Sequence, residues 1–252
     1  MIGLIVKREM LMFFRNPMGF LVTGLFCLVV GWLFMHQLDF FINNIQKAPV
    51  HLRNHYDFTN EVVIKLFSNV NFLFLFITPI LGMSFFSAEY KNRTIDLYFS
   101  ARISDFELIL GKYISFLLQG LFILAMTTVY PLVLSNIQMN DTAFIYTGYI
   151  GIFLNFSCFA SLSLLSSSFS RNPIICALFG FVLIMFTWIL GFFGQISSHY
   201  FLSQILNFLS VNYHLTSFLK GAVSLSDIFF YLSFNLYILI VLKKRLESRK
   251  WL

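Results

Sequence analysis

The sequence is short of charge. Asp, Glu, Lys and Arg make up 11% of its 252 residues, where a water-soluble domain carries about 25%, and hydrophobic residues make up 58%. That shortage excludes an ordinary soluble domain and leaves a polytopic membrane protein. Cysteine is scarce as well. Cys27, Cys158 and Cys176 all fall inside apolar runs, where a lone thiol behaves as a small hydrophobe, so no disulfide framework or redox compartment can be read from them. Also missing is any domain that combines basic and aromatic side chains, so the net charge of +6 does not point to nucleic acid. No Ser/His/Asp set, carboxylate pair or metal cluster falls within the apolar runs, which argues against an intramembrane hydrolase.

What is present is apolar length. A helix needs roughly 20 mostly apolar residues to cross a hydrocarbon core about 30 Å thick. Residues 18–35, 66–86, 113–134, 144–165 and 174–193 meet that test, and 225–242 makes a sixth span that ends against Lys243, Lys244 and Arg245. The first run carries Trp32, Phe34 and Met35 where a cleavable signal needs small residues, so it is expected to remain as a span. Residues 200–221 could be counted as a seventh. Against this, Ser203, Asn207, Ser210, His214 and Ser217 recur at spacings of 4, 3, 4 and 3, which places them in one polar stripe of a helix. The segment is expected to be an interfacial or re-entrant element. Ser203, Asn207, Ser210 and His214 are its candidate outer-gate residues.

Charge distribution supports six spans. Both termini then share a side with thirteen of the 17 Lys and Arg residues, leaving Lys47, Arg53, Lys65 and Lys220 on the other. By the positive-inside rule both termini are expected to be cytoplasmic, and the basic excess suits contact with anionic lipid headgroups.

One polar island interrupts this pattern. Residues 89–112 carry eight charges between two apolar runs. Ser104 followed by Glu107 ahead of the run from Leu108 is a capping box, so the third span is expected to start as a helix near Asp105. Upstream, Ile95, Tyr98 and Phe99 lie at helical spacing opposite Arg93 and Asp96, which fits a short amphipathic helix along the membrane face. The competing reading is a solvated connection whose charges only keep it out of lipid. At the N-terminus, Ile2, Ile5, Val6 and Phe13 fall on one side of a helix and Arg8 with Arg15 on the other, and Asn16 and Pro17 end it. This is read as a cytoplasmic interface helix. Glu9 sits on its apolar side, where it either pairs with a cation of the island or snorkels.

Glu89, Thr94, Ile95, Asp96 and Leu97, then Ile103 and Ser104, then Leu110, Gly111 and Lys112 together resemble the cytoplasmic loop of type 2 ABC permeases. The resemblance is to the branch that includes gliding-motility, copper-enzyme maturation and sodium-export systems. It continues through 166–172 and through Phe218, Gly221, Asp227, Tyr231 and Leu232, and closes with Leu246, Glu247, Ser248, Arg249 and Trp251. Two residues depart from the pattern: Arg93 stands where members usually have Gly, and Arg102 where they usually have Pro.

The resemblance implies a single all-α transmembrane domain over 1–252 in the bacterial inner membrane, with a coupling helix between spans two and three. Spans two and five would line a dimer interface, formed with a second copy or a similar permease. Glu89, Arg93, Thr94, Asp96, Leu97, Ser104 and Lys112 would couple the permease to a separate ATP-binding cassette subunit. An auxiliary subunit with a large outer domain is a further possible partner. Gly111 and Lys112 look like the end of a phosphate-binding loop, but Phe106 replaces its earlier Gly and Tyr113 its Ser or Thr. ATP chemistry is therefore expected on another polypeptide, and no catalytic residue or cofactor is expected here.

Two alternatives stand beside ABC export. One is a membrane anchor that passes ATPase work to an extracytoplasmic partner without moving substrate. The other, an ion-coupled carrier, would want ionisable groups at mid-membrane, whereas all 11 acids fall in or near loops. His51, His55 and Asp57 have one-turn spacing, but no helical pattern or fourth ligand accompanies them, so they are read as solvated and no metal is expected. Asn69, Asn71, Asn155 and Asn235 are read as hydrogen-bonding between helices.

Overall fold

The computed structural model describes residues 1–47, 59–94, 104–131 and 143–249. These form α1 (Ile2–Arg15), α2 (Pro17–Lys47), α3 (Lys65–Gly82), α4 (Ser84–Lys91), α5 (Asp105–Thr127), α6 (Ala143–Ser167), α7 (Pro173–Ile196), α8 (Tyr200–Leu209), α9 (Val211–Leu219) and α10 (Leu225–Arg249). A π-helical turn, Thr59–Ile64, leads into α3. Six stretches are long and apolar enough to cross a bilayer: α2, α3 continued by α4, α5, α6, α7 and α10. No strand occurs among the described residues. The protein is an all-α, six-span membrane protein. Six crossings put α1 and the end of α10 at one face of the bundle, the terminal face, and α8 with α9 at the opposite, far face.

Local chemistry sets the helix boundaries. Pro17 opens α2, where a missing N–H costs nothing, and the Asn16 side chain accepts from the Met18 amide at 3.0 Å, so α1 turns away from the first span. Asn172 and Pro173 repeat this arrangement at the start of α7, with Asn172 Oδ1 accepting from the Ile174 amide at 3.0 Å. The predicted capping box opens α5: Glu107 N donates to Ser104 Oγ at 3.3 Å, and Ser104 N donates back to Glu107 Oε2 at 3.1 Å.

α6 is the centre of the bundle. It packs against α3, α4, α5, α7, α9 and α10, and 83% of its spanning window is buried, against 28% for both α2 and α7. Its buried serines satisfy their own hydroxyls on carbonyls one turn back, as in Ser161 to Cys158 O at 2.8 Å and Ser166 to Ser163 O at 2.8 Å. That removes the penalty for an unpaired polar group away from water and keeps the side chain small. Close approach follows: a Cβ on Gly82 would overlap Ser163, and one on Gly120 would overlap the ring of Phe156. Small residues at such contacts let helices associate without a hydrophobic driving force.

Amide pairs lock the same helices. Asn71 on α3 donates to Asn212 on α9 at 2.8 Å and accepts from Asn155 on α6. Asn235 on α10 donates to Ser157 Oγ on α6 at 2.7 Å.

Candidate functional site

Four charged side chains meet where α1, α4 and α5 come together. Lys112 is fully buried, at 0% exposure, and sets the geometry. Its ammonium donates to Glu89 Oε1 at 2.8 Å, Glu9 Oε1 at 3.2 Å and the Phe85 carbonyl at 2.6 Å. Three donors therefore meet three acceptors, which is the full capacity of a lysine head. The ammonium also lies 4.9 Å from the ring centroid of Phe86, within cation–π range. Arg8 adds a second cation, donating from Nη1 to Glu89 Oε1 at 3.2 Å with Glu9 Oε1 at 3.9 Å. Two carboxylates and two cations balance. Low dielectric strengthens such contacts but makes each member costly to lose.

Glu89 and Lys112 are the first and last residues of the polar island, so the ion pair closes the island at its base. The helix ends on either side are also fixed. After α4, Thr94 N donates to Glu89 O at 3.0 Å and Arg93 N to Tyr90 O at 3.4 Å, with Arg93 at φ 55°. This is a Schellman ending, whose left-handed position favours glycine. The departure at Arg93 therefore falls on the position where the backbone wants no side chain. The α9 ending uses the same motif with Gly221, at φ 80°, and pairs Ala222 N with Ser217 O at 3.0 Å.

Of the sequence-predicted coupling residues, Glu89 and Lys112 are in direct contact. Thr94 and Arg93 form the helix ending above them, and Ser104 caps α5. Asp96 and Leu97, with the amphipathic helix expected around them, lie outside the described residues, as do Arg102 and the His51, His55 and Asp57 group. Among the described residues no group of three potential ligands could hold a metal ion. Glu9, left between two roles by the sequence, binds Lys112.

At the far face residues 200–221 form two helices, α8 and α9. Ser210 adopts an extended conformation, φ −78° and ψ 118°, and separates α8 from α9, so the polar stripe does not continue as one line. Ser203 Oγ donates to the Gly194 carbonyl of α7 at 2.6 Å, and Asn207 and Ser210 face Gly194 and Gly191. The polar side of α8 is thus turned into the protein. Phe201, Leu202, Phe208 and Leu209 are turned out. A helix with that orientation suits lipid more than water.

His214 points elsewhere. Its Nδ1 lies 2.7 Å from Asp227 Oδ1 on α10, its Nε2 lies 3.0 Å from the Phe208 carbonyl, and its ring stacks on Phe230 at 3.9 Å. This buried latch holds α8, α9 and α10 together. In the sequence Asp227 figured only in the family resemblance, with no partner assigned. The missed signal is a thirteen-residue separation bridged by a turn, which no helical or strand period reports.

Six apolar spans, with clustered charges at one face and a latch at the other, define a polytopic membrane protein. Residues 4–243 match the model of the ABC-2 family transporter proteins. The chain belongs to that family, as a membrane permease subunit of an ABC transporter. No curated protein matches it by sequence.

Proposed function

We propose that the protein is the permease of an ABC exporter and that it receives the stroke of a separate ATP-binding cassette subunit through residues 89–112. The observation that carries this reading is the buried contact of Glu89 and Lys112 with Glu9. A push on the island cannot be absorbed at its base. It passes into α4 and α5, which continue into the membrane, and into α1, whose end abuts the first span at Asn16 and Pro17. Glu89, Lys112, Glu9 and Arg8 form the transmitting base; Arg93, Thr94 and Ser104 set the angles at which the chain enters and leaves the island. Asp96 and Leu97 supply the docking surface for the ATPase. A second permease copy or a similar chain completes the transporter, in the inner membrane with both termini cytoplasmic.

The gliding-motility branch supports a second reading in which ATPase work passes to an extracytoplasmic partner without substrate. Its support here is that the amides inside the bundle are largely turned on one another, as in the Asn71, Asn155 and Asn212 set.

The test is affinity purification of the tagged chain in mild detergent, with mass spectrometry of co-purifying proteins. Recovery of an ATP-binding subunit is expected. Replacing Asp96 and Leu97 together should uncouple ATP hydrolysis while leaving membrane insertion intact. A chain recovered alone and stable would overturn the ABC assignment of partner, and an unchanged complex and ATPase activity after the double replacement would remove the island from the mechanism.

A further inference from the structure

Both ring nitrogens of His214 meet acceptors: Nδ1 lies 2.7 Å from Asp227 Oδ1, and Nε2 lies 3.0 Å from the Phe208 carbonyl. A carbonyl only accepts, so Nε2 carries a hydrogen, and an ionised carboxylate only accepts, so Nδ1 carries another. The ring in this arrangement is an imidazolium. If the second hydrogen sits on Asp227 and is donated to Nδ1, the count is unchanged: the closed latch holds one proton more than a neutral imidazole and a carboxylate bring to it. The ring also lies flat on Phe230, with centroids 3.9 Å apart and planes at 22°, a contact in which an aromatic face favours a cation.

The surroundings supply no substitute for that proton. Asp227 Oδ2 has no hydrogen-bond partner, so the imidazole is the donor on which the carboxylate depends. The other titratable side chains that meet the ring are Tyr213 and Tyr231, with centroids at 5.9 and 6.2 Å, and the Tyr231 hydroxyl is already donated to the Val211 carbonyl at 3.1 Å. Behind Tyr231, Cys158 of α6 places its Sγ 4.0 Å from the Tyr231 carbonyl. α6, α7, α8 and α9 carry no Asp, Glu, Lys or Arg. Tyr200 on α8, His199 before it and Lys220 after α9 are all exposed. Water reaches the pair itself, because the His214 and Asp227 side chains keep 6% and 10% of their surface exposed and Ser226 beside them is exposed.

A neutral imidazole has one N–H, and it can serve Asp227 or Phe208 but not both. A hydrogen bond to a charged group is the stronger of the two. Loss of the proton therefore costs the contact with Phe208, which holds the C-terminal end of α8. That helix is the element able to move: none of its residues is buried, Ser203 ties it to the Gly194 carbonyl, and the extended backbone at Ser210 separates it from α9. We infer that His214 is a proton-operated clip, which holds the end of α8 down while both ring nitrogens are protonated and releases it when one proton leaves to water at the far face. The inference concerns closure of that face and stands whether or not residues 89–112 dock an ATPase.

The experiment is thiol labelling of the full-length chain carrying Ser210→Cys in lipid nanodiscs, with the labelled site read by peptide mass spectrometry. Ser210 is 0% exposed, so a thiol there becomes reachable when α8 lifts. A second chain carrying Val223→Cys, at a position 50% exposed beside the latch, is labelled in parallel, and the ratio of the two rates removes the thiol's own response to pH. One proton released on opening shifts the opening equilibrium by up to about tenfold per pH unit. The ratio should therefore rise roughly tenfold or more between about pH 5 and about pH 8, the range in which an imidazole changes charge. Asp227→Asn, whose amide can donate to Nδ1 while Nε2 keeps Phe208, should make the ratio independent of pH, and so should His214→Gln. A ratio that stays flat or falls with rising pH in the chain with His214 and Asp227 intact would overturn the proposal. So would a rise that persists in either variant, which would place the titrating group elsewhere.

Discussion

The two ends of the bundle each bury a polar cluster built around a carboxylate, and they are built on different scales. At the terminal face one lysine serves two carboxylates and a carbonyl, joining residues up to 103 positions apart. At the far face one imidazole bridges a carboxylate and a carbonyl, and its partners lie 13 and 6 positions away. The first arrangement joins helices that the chain would otherwise leave independent. The second closes a local hairpin. Removing the lysine leaves two buried carboxylates with only the half-exposed Arg8 beside them; removing the histidine affects one carboxylate. Under the function proposed above, the first end would transmit force and the second would stay shut while the latch holds.

The largest expected effect comes from Lys112→Met, which should cost about 3–5 kcal/mol by leaving buried charge uncompensated. A fall in the thermal midpoint in detergent would register it. Adding Glu9→Gln and Glu89→Gln should restore most of the loss, because no fully buried charge is then left uncompensated, the remaining Arg8 side chain being 42% exposed. If the triple variant is no better than the single, charge balance is not what holds this end together.

Asp227→Asn should cost less, about 1–3 kcal/mol, the penalty of a poorly satisfied buried group. It should also raise labelling of a cysteine placed at Tyr213 by an impermeant thiol reagent, while Lys112→Met leaves that labelling unchanged. Increased labelling in both variants would show that the two ends are coupled, and cytoplasmic labelling of Tyr213→Cys would reverse the proposed orientation.

Arg93→Gly sharpens the comparison between the two Schellman endings. Glycine relieves the left-handed backbone, so a gain of about 1 kcal/mol is expected. Gly221→Ala should move the other way, since Phe144 crowds that Cβ position as well. The smallest effect belongs to Ser203→Ala, about 0.6 kcal/mol for one interhelical hydrogen bond in a membrane bundle. All three are read by the same thermal assay.

Six spans were legible because apolar length alone reports them, and the α5 start was legible because a capping box lies within four residues. The base of the island was half legible. Glu89 and Lys112 stood at the island's edges, and Glu9 was conspicuous as a carboxylate on an apolar face, but their meeting depends on how α1 folds back onto α5. The far face was read less well. The polar stripe marked the element, and the extended backbone at Ser210 divides that stripe between two helices. Asp227 satisfied a local rule for helix starts, which hid its long-range partner.

α6 carries a consequence for how the sequence can drift. A helix buried over 83% of its spanning window has few positions that can change alone, whereas α2, α7 and α10 present much of their surface outward. Substitutions among relatives should therefore thin out along α6 and spread freely along the outer three. Natural variation would then mark the centre of the bundle in a span whose serines and asparagine make it look, by composition, like the one least suited to a membrane interior.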